Sequence, residues 1–125
     1  MSEKITVLVM EPEKAPYTKE IDPGLESLQR EIGGDIQAIY PFPEPVAIVC
    51  NESGKLDSLP LNRSLRDEDG KPYDIIAGTF LVVGLGDEDF ASLSPELIQQ
   101  FIQCFRKPEA FLKVNGGIVV FPMEE

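Results

Sequence analysis

The sequence predicts an α+β fold, a mostly antiparallel sheet of about six to eight strands with two helices on one face of it. Three observations lead to this prediction. Short β-branched apolar runs alternate with turn residues along the chain, and two segments space their apolar residues as a helix does. The chain has 125 residues, of which 42% are hydrophobic, and this is enough for one core. We therefore expect a single globular domain over residues 1–125.

The N-terminal third predicts a hairpin followed by a helix. Residues 4–10, KITVLVM, are apolar on both faces and predict a central strand, and residues 17–21, YTKEI, predict its half-exposed return strand. Residues 22–24, Asp-Pro-Gly, predict an N-cap with proline at the first position of a helix, along which Leu25, Leu28 and Ile32 keep helical spacing until Gly33-Gly34 ends it. This order resembles the opening of ubiquitin-like β-grasp folds and implies a β-grasp-like N-terminal half.

The middle of the chain predicts short strands. The runs IQAIYPF and VAIVCN predict two of them, separated by prolines at positions 41, 43 and 45 that forbid ladder bonds between them. A third short strand is expected near Leu56. Residues 59–74, LPLNRSLRDEDGKPYD, then predict an irregular, polar surface connection, and residues 78–86, GTFLVVGLG, predict a buried strand.

The C-terminal third predicts a second helix and a second hairpin. Ser94 and Pro95 predict the N-cap and first turn of the helix, and Leu97, Phe101 and Phe105 repeat every four residues along one side of it. The pair Asn115-Gly116 stands between two apolar runs, which is the strongest short signal for a hairpin in this sequence.

The formal charge of −11 argues against direct nucleic-acid binding, because a duplex attracts clustered lysine and arginine. It also argues against anionic membrane surfaces, and it predicts a protein partner that could be basic. Apolar runs such as residues 79–85 are too short to span a bilayer, and the start MSEKITVLV lacks the layout of a secretory signal. We therefore expect a cytoplasmic protein.

Several chemistries are excluded or disfavoured. The chain has no histidine, so Ser-His-Asp and Cys-His catalysis and imidazole metal sites cannot be built from it. Cys50 and Cys104 lack the spacing of a metal or redox pair and are predicted to be structural thiols. An enzyme would have to use carboxylate, lysine, tyrosine or cysteine chemistry, and we expect none of the common cofactors or metals.

Two glycine-containing stretches do not have the residue spacing of the calcium-binding and dinucleotide-binding motifs that they resemble. In residues 67–70, Asp-Glu-Asp-Gly, a calcium loop with Gly70 in sixth place would put Leu65 and Ile76 at its end ligands, so a charged β-turn is predicted instead. After the strand ending near Gly86, the third glycine of a dinucleotide fingerprint would fall on Asp89.

One anion-binding hypothesis remains. If the segment around Arg63 and Arg66 forms a helical turn, the two guanidiniums share a face and, with the Asn62 amide, could bind phosphate or carboxylate. Alternatively, Arg63 and Arg66 pair with Asp67, Asp69 or Asp74, and Asn62 bonds the backbone as a turn cap. Both interpretations stay open. The candidate ligand-binding residues are Asn62, Arg63, Arg66, Asp67, Asp69, Tyr73 and Asp74.

Four stretches carry a resemblance to a known family: PGLESLQREIGGDIQAIYPF, VAIVCNESGKL, LPLNRSLRDEDGKPYDIIAGTFLVVG and DEDFASLS. They resemble, nearly end to end, the small acidic proteins of bacteria, phages and mobile elements catalogued as domain of unknown function 3846. The resemblance implies no activity or catalytic residues, but it implies a mobile-element context. We expect a non-enzymatic binding or protein-interaction module.

The mobile-element context also suggests an alternative, an acidic DNA mimic that acts on a basic DNA-binding protein. Since duplex DNA carries one charge per roughly 1.7 Å, eleven net charges match about 19 Å of duplex, around half a helical turn. A monomer would therefore be a short mimic.

Overall fold

The computed structural model describes residues 4–54, 57–87 and 89–123, which form two helices and ten strands. In chain order these are β1 Ile5–Met10, β2 Tyr17–Ile21, α1 Leu25–Ile32, β3 Ile36–Ile39, β4 Val46–Asn51, β5 Leu61–Arg66, β6 Pro72–Ala77, β7 Phe80–Leu85, β8 Phe90–Ala91, α2 Pro95–Cys104, β9 Glu109–Val114 and β10 Gly117–Pro122.

The main sheet has the order β2-β1-β7-β4-β3, and β8 pairs with the end of β7. Strands β5 and β6 form a separate two-stranded ladder, and so do β9 and β10. Every strand pairing among the described residues is antiparallel. The α+β class with a mostly antiparallel sheet is thus confirmed, with more strands than the six to eight expected. The β-grasp-like detail is not confirmed.

The two helices lie on opposite faces of the main sheet, so the prediction that they share one face is wrong. Phe101 and Phe105 of α2 pack in one apolar cluster, and Leu28 and Ile32 of α1 pack in another. The central strands β1, β4 and β7 contribute alternate side chains to both clusters. A strand that is apolar on both faces has to be shielded from water on both faces, and each helix packs over one of them.

The helix ends follow from capping residues. At α2 the prediction is confirmed: Ser94 Oγ accepts a hydrogen bond from the Leu97 N–H at 3.3 Å, and Pro95 opens the helix. At α1 the N-cap is Gly24, two residues after the predicted Asp22, while Gly33 ends the helix in a left-handed conformation with φ of 85°.

Neither of the two helices in the described ranges has the length and the apolar character that spanning a membrane requires.

Strands β3 and β4 pair with each other, from Ile36 opposite Asn51 to Ile39 opposite Ile48. The prediction that the prolines prevent this pairing is wrong, because positions 41, 43 and 45 lie in the connection between β3 and β4, outside the paired residues. The strand expected near Leu56 falls on residues outside the described part of the chain.

The stretch expected to be an irregular connection is instead the β5–β6 hairpin, so that prediction is wrong. Its turn is the charged one predicted for residues 67–70. Asp67 Oδ1 accepts hydrogen bonds from the Asp69 and Lys71 N–H groups, both at 2.9 Å, and Gly70 adopts φ of 79°. Four consecutive β5 residues, 62–65, are buried, although three of them are polar.

Candidate functional site

The Asn62 side chain is fully buried and serves the backbone. Its amide nitrogen donates to the Met10 carbonyl at 2.9 Å and to the Gly78 carbonyl at 2.8 Å. These bonds fasten β5 to the end of β1 and to the turn between β6 and β7. The backbone-bonding alternative for Asn62 describes this geometry, although the partners are distant strand ends and not a local turn.

Arg63 is 1% exposed, and backbone and amide oxygens surround its guanidinium. It donates to the carbonyls of Phe105 at 3.2 Å, Lys14 at 2.6 Å and Asn62 at 3.3 Å, and to Asn62 Oδ1 at 2.7 Å. Burial lowers the pKa of Arg63, and the charge of Glu109 acts in the opposite direction. Arg63 therefore joins the end of α2, the β1–β2 connection and β5.

Arg66 lies at the exposed end of β5. Its Nη1 donates to the Gly70 carbonyl at 2.9 Å, and its Nη2 forms an ion pair with Glu109 Oε2 at 3.2 Å. Among the described residues, its carboxylate partner is thus on β9 and not in the adjacent turn, where Asp67 and Asp69 had been expected to pair with it.

The remaining predicted site residues lie in the β5–β6 turn and on β6. Asp67 and Asp69 belong to the β5–β6 turn, Tyr73 is exposed on β6, and Asp74 accepts a hydrogen bond from the Ile75 N–H at 2.8 Å. Tyr73 and Asp74 line a different cavity from Arg63 and Arg66. The structure therefore divides the seven predicted residues among the core, a turn and two cavities.

Arg63 and Arg66 line one cavity even though the segment is a strand and not the helical turn assumed in the anion-binding hypothesis. Residues three apart on a regular strand point to opposite faces. Strand β5 has register irregularities between Leu61 and Arg63 and between Leu65 and Arg66. Such irregularities re-aim side chains, which accounts for the shared cavity.

This cavity, which we call the basic pocket, has a volume of about 440 Å³ and lies between β5, the end of α2 and the start of β9. Three of the four arginines of the chain line it, together with Lys107 and a single lining carboxylate, Glu109. Its lining charge is therefore +3 within a chain of formal charge −11. The basic residues are Arg63, Arg66, Arg106 and Lys107.

The Glu109 carboxylate is held inside the basic pocket. It accepts hydrogen bonds from the Ser64 N–H at 2.8 Å and from Ser64 Oγ at 3.0 and 2.9 Å, besides the ion pair with Arg66. The pocket thus already provides the donors that recognise a carboxylate. Sequence reasoning missed Arg106, Lys107 and Glu109 because they lie about 40 residues from Arg66 and share no motif with it.

Cys104 also lines the basic pocket. Burial raises the pKa of its thiol, and the charges of Glu44 and Glu109 raise it further. The thiol therefore stays protonated at neutral pH, whereas a catalytic cysteine works as the thiolate.

Alkylation of Cys104 by iodoacetamide at pH 8 should be slower than alkylation of the same protein unfolded in urea, since the thiolate fraction is smaller in the folded state. Mass spectrometry of the modified peptides measures both rates. The Cys104→Ser variant is the control, because it leaves the buried Cys50 as the remaining thiol. Equal rates in folded and unfolded protein would contradict the raised pKa.

A second cavity, of about 630 Å³, lies between the β5–β6 and β9–β10 hairpins. We call it the hairpin groove. Its walls are largely apolar and include Leu61, Tyr73, Ile75, Ile118 and Val120. Lys113 and Asp74 stand among them.

No group of three or more cysteine, aspartate or glutamate side chains in the described ranges is placed to hold a metal ion. A protein-family model described as Domain of unknown function (DUF3846) matches residues 5–106. No curated protein and no solved structure matches the chain. The matched range runs from β1 to the end of α2 and leaves the β9–β10 hairpin outside.

Proposed function

The chain belongs to the family described as Domain of unknown function (DUF3846), and we propose that it is a non-enzymatic protein-interaction module. The observation that carries this proposal is the β9–β10 hairpin, through which the module binds an extended segment of a partner protein. The mobile-element origin and the DNA-mimic alternative stay predictions from the sequence.

The β9–β10 hairpin exposes apolar side chains on both of its faces. Five of the ten large hydrophobic residues that are exposed in the described chain lie within it, at exposed fractions of 39–54%. They are Leu112, Val114, Ile118, Val119 and Phe121. Single exposed apolar residues are ordinary, but a contiguous group marks an interaction surface. A two-stranded hairpin contributes little stability by itself, and although Glu109 joins this one to β5, a partner that covers its apolar side chains would stabilise it further.

Strand β10 offers an open edge. In the described part of the chain it pairs with β9 alone, and none of its residues, Gly117–Pro122, carries a charge. Natural edge strands usually carry lysine, other charges, proline or bulges that prevent pairing with another chain, and of these β10 has a proline at its last residue, Pro122. An uncharged edge favours the addition of a strand from a partner, with backbone hydrogen bonds supplying affinity.

The hairpin groove supports the same mode of binding. It lies beside β10, and Ile118 and Val120 form part of its wall. When an extended segment adds to a sheet edge, alternate side chains need pockets on one face. An apolar residue of the partner segment fits this groove.

Charge decides between a partner segment and a second copy as the occupant. Arg106, Lys107 and Lys113 lie in or beside β9, although Glu124 and Glu125 bring residues 106–125 to a net charge of zero and the whole chain carries −11. Two copies would bring together two chains of formal charge −11, whereas acidic residues that flank a partner segment would be attracted to these three cations. We therefore assign the surface to an extended apolar segment with acidic flanks. The basic partner predicted from overall composition stays a prediction for the acidic remainder of the surface.

The enzyme alternative would need two carboxylate, lysine, tyrosine or cysteine groups with shifted pKa values in one cavity. Such groups in the described residues are Tyr17 and Cys104, and they do not line a common cavity. This supports the binding module over the enzyme.

Selection of random 12-residue peptides displayed on phage tests the proposal. The immobilised protein should enrich peptides with alternating apolar residues flanked by aspartate or glutamate. The Ile118→Lys variant should lose this enrichment because the new charge enters the groove. The Leu25→Lys variant is the matched control, since Leu25 is equally apolar and 58% exposed on α1. Its enrichment should equal that of the parent protein.

Three outcomes would overturn the proposal. The first is enrichment of peptides with helical spacing, and the second is enrichment that survives Ile118→Lys. The third is concentration-dependent self-association that Ile118→Lys abolishes in sedimentation experiments, which would assign the surface to a second copy. Circular dichroism of both variants establishes that they are folded.

A further inference from the structure

The basic pocket has more positive charge than its own carboxylate neutralises. Glu109 forms an ion pair with Arg66, while Arg63 is occupied by carbonyl and amide oxygens. Arg106 and Lys107 are exposed at the same pocket, and within the described ranges neither makes a hydrogen bond or ion pair. Two cations are therefore available to a ligand in a chain where acidic residues outnumber basic ones by 22 to 11.

The pocket also has apolar walls. Phe42, Leu65, Phe105 and Pro122 line it together with the cations. Its volume of about 440 Å³ lies within the range of small-molecule sites and exceeds what one phosphate or carboxylate group fills. A cavity of this size with both kinds of wall suits a ligand that has an anionic group and an apolar body.

The carbonyl groups at the end of α2 would repel such an anion, because a helix C-terminus carries partial negative charge. Arg63 counters this at Phe105, whose carbonyl accepts from Nε at 3.2 Å. The buried guanidinium thereby offsets the partial negative charge at the base of the pocket and does not itself contact the ligand.

We propose that the basic pocket binds a small organic anion, with a phosphate or carboxylate group held by Arg106 and Lys107 and an apolar body against Phe42 and Phe105. The N–H and hydroxyl groups of Ser64 already donate hydrogen bonds to the Glu109 carboxylate, which shows that an oxyanion can be bound in this pocket. The basic pocket is distinct from the hairpin groove, so a negative result for anion binding would not contradict the protein-interaction proposal.

Isothermal titration with phenyl phosphate, benzoate and inorganic phosphate tests the proposal and separates the two headgroups. Phenyl phosphate should bind more tightly than inorganic phosphate, because the ring gains the apolar wall. Tighter binding of benzoate than of phenyl phosphate would assign the site to carboxylates, and the reverse order would assign it to phosphate esters.

The Arg106→Ala, Lys107→Ala double variant should weaken binding of phenyl phosphate by about tenfold, since two exposed cations each contribute modestly. The matched control is Lys4→Ala, Lys71→Ala, which removes the same charge from exposed positions outside the pocket. It should change affinity by less than about twofold. Glu109→Gln should strengthen binding because it removes the competing carboxylate and keeps the side-chain shape.

The proposal is overturned if the parent protein binds none of the three probes at millimolar concentration. It is equally overturned if both double variants lose the same affinity, because binding would then depend on net charge and not on the pocket. Weaker binding in Glu109→Gln would also contradict it, provided that thermal unfolding shows the variant to be folded.

Discussion

Replacing Arg63 with alanine is expected to lower the free energy of unfolding by about 3 kcal/mol, because each buried acceptor left without a donor costs about 1–3 kcal/mol and removal of the buried charge offsets part of that cost. The variant leaves the Lys14 and Phe105 carbonyls and Asn62 Oδ1 without the donors that they have in the folded protein. Each buried acceptor without a partner carries a desolvation cost. Urea unfolding followed by circular dichroism measures the change.

Two variants make this result interpretable. Arg63→Lys keeps the charge but not the planar fork, so it should recover part of the lost stability and not all of it. Arg30→Ala removes an exposed arginine from α1 and should cost less than about 0.5 kcal/mol. A loss in Arg63→Ala as small as that in Arg30→Ala would show that the buried network does not stabilise the fold.

Replacing Phe101 with alanine should cost about 3–5 kcal/mol, as for other buried phenylalanines. The ring is 1% exposed, and its centroid lies 4.8 Å from that of Phe42. Truncation leaves a cavity between α2 and the sheet that the surrounding residues fill only in part. The same urea experiment measures the loss of stability.

Phe121→Ala is the matched control for Phe101→Ala. It makes the same chemical change on β10, where the ring is 47% exposed. It should cost less than about 1 kcal/mol, because most surface substitutions have small effects. Similar losses in the two variants would mean that α2 does not cover the core as the structure shows.

The parts of the fold that local sequence determines were predictable. Ser94 and Pro95 specify the start of α2 through hydrogen bonding and a fixed φ, and Asn115-Gly116 specifies a turn between two apolar strands. The apolar run of β1 likewise predicted a central strand. Each of these signals acts within a few residues, where sequence reasoning is strongest.

The parts that depend on distant partners were not predictable. Polar residues at positions 62–64 concealed β5, because their partners lie in β1, α2 and β9. The pairing of Arg66 with Glu109, 43 residues later, has no local signal. The placement of the helices on opposite faces also depends on the sheet order, which no single segment encodes. The basic pocket could therefore be recognised only once these elements were assembled.

The long-range bonds of Asn62 and Arg63 have a consequence for the order in which the chain folds. They join positions that lie 52, 49 and 42 residues apart, to Met10, Lys14 and Phe105 respectively. Closing loops of this length costs entropy before any contact repays it. Because the acceptors lie at the end of β1, in the β1–β2 connection and at the end of α2, these hydrogen bonds need all three segments beside β5. We therefore expect docking of the β5–β6 hairpin to be a late event in folding.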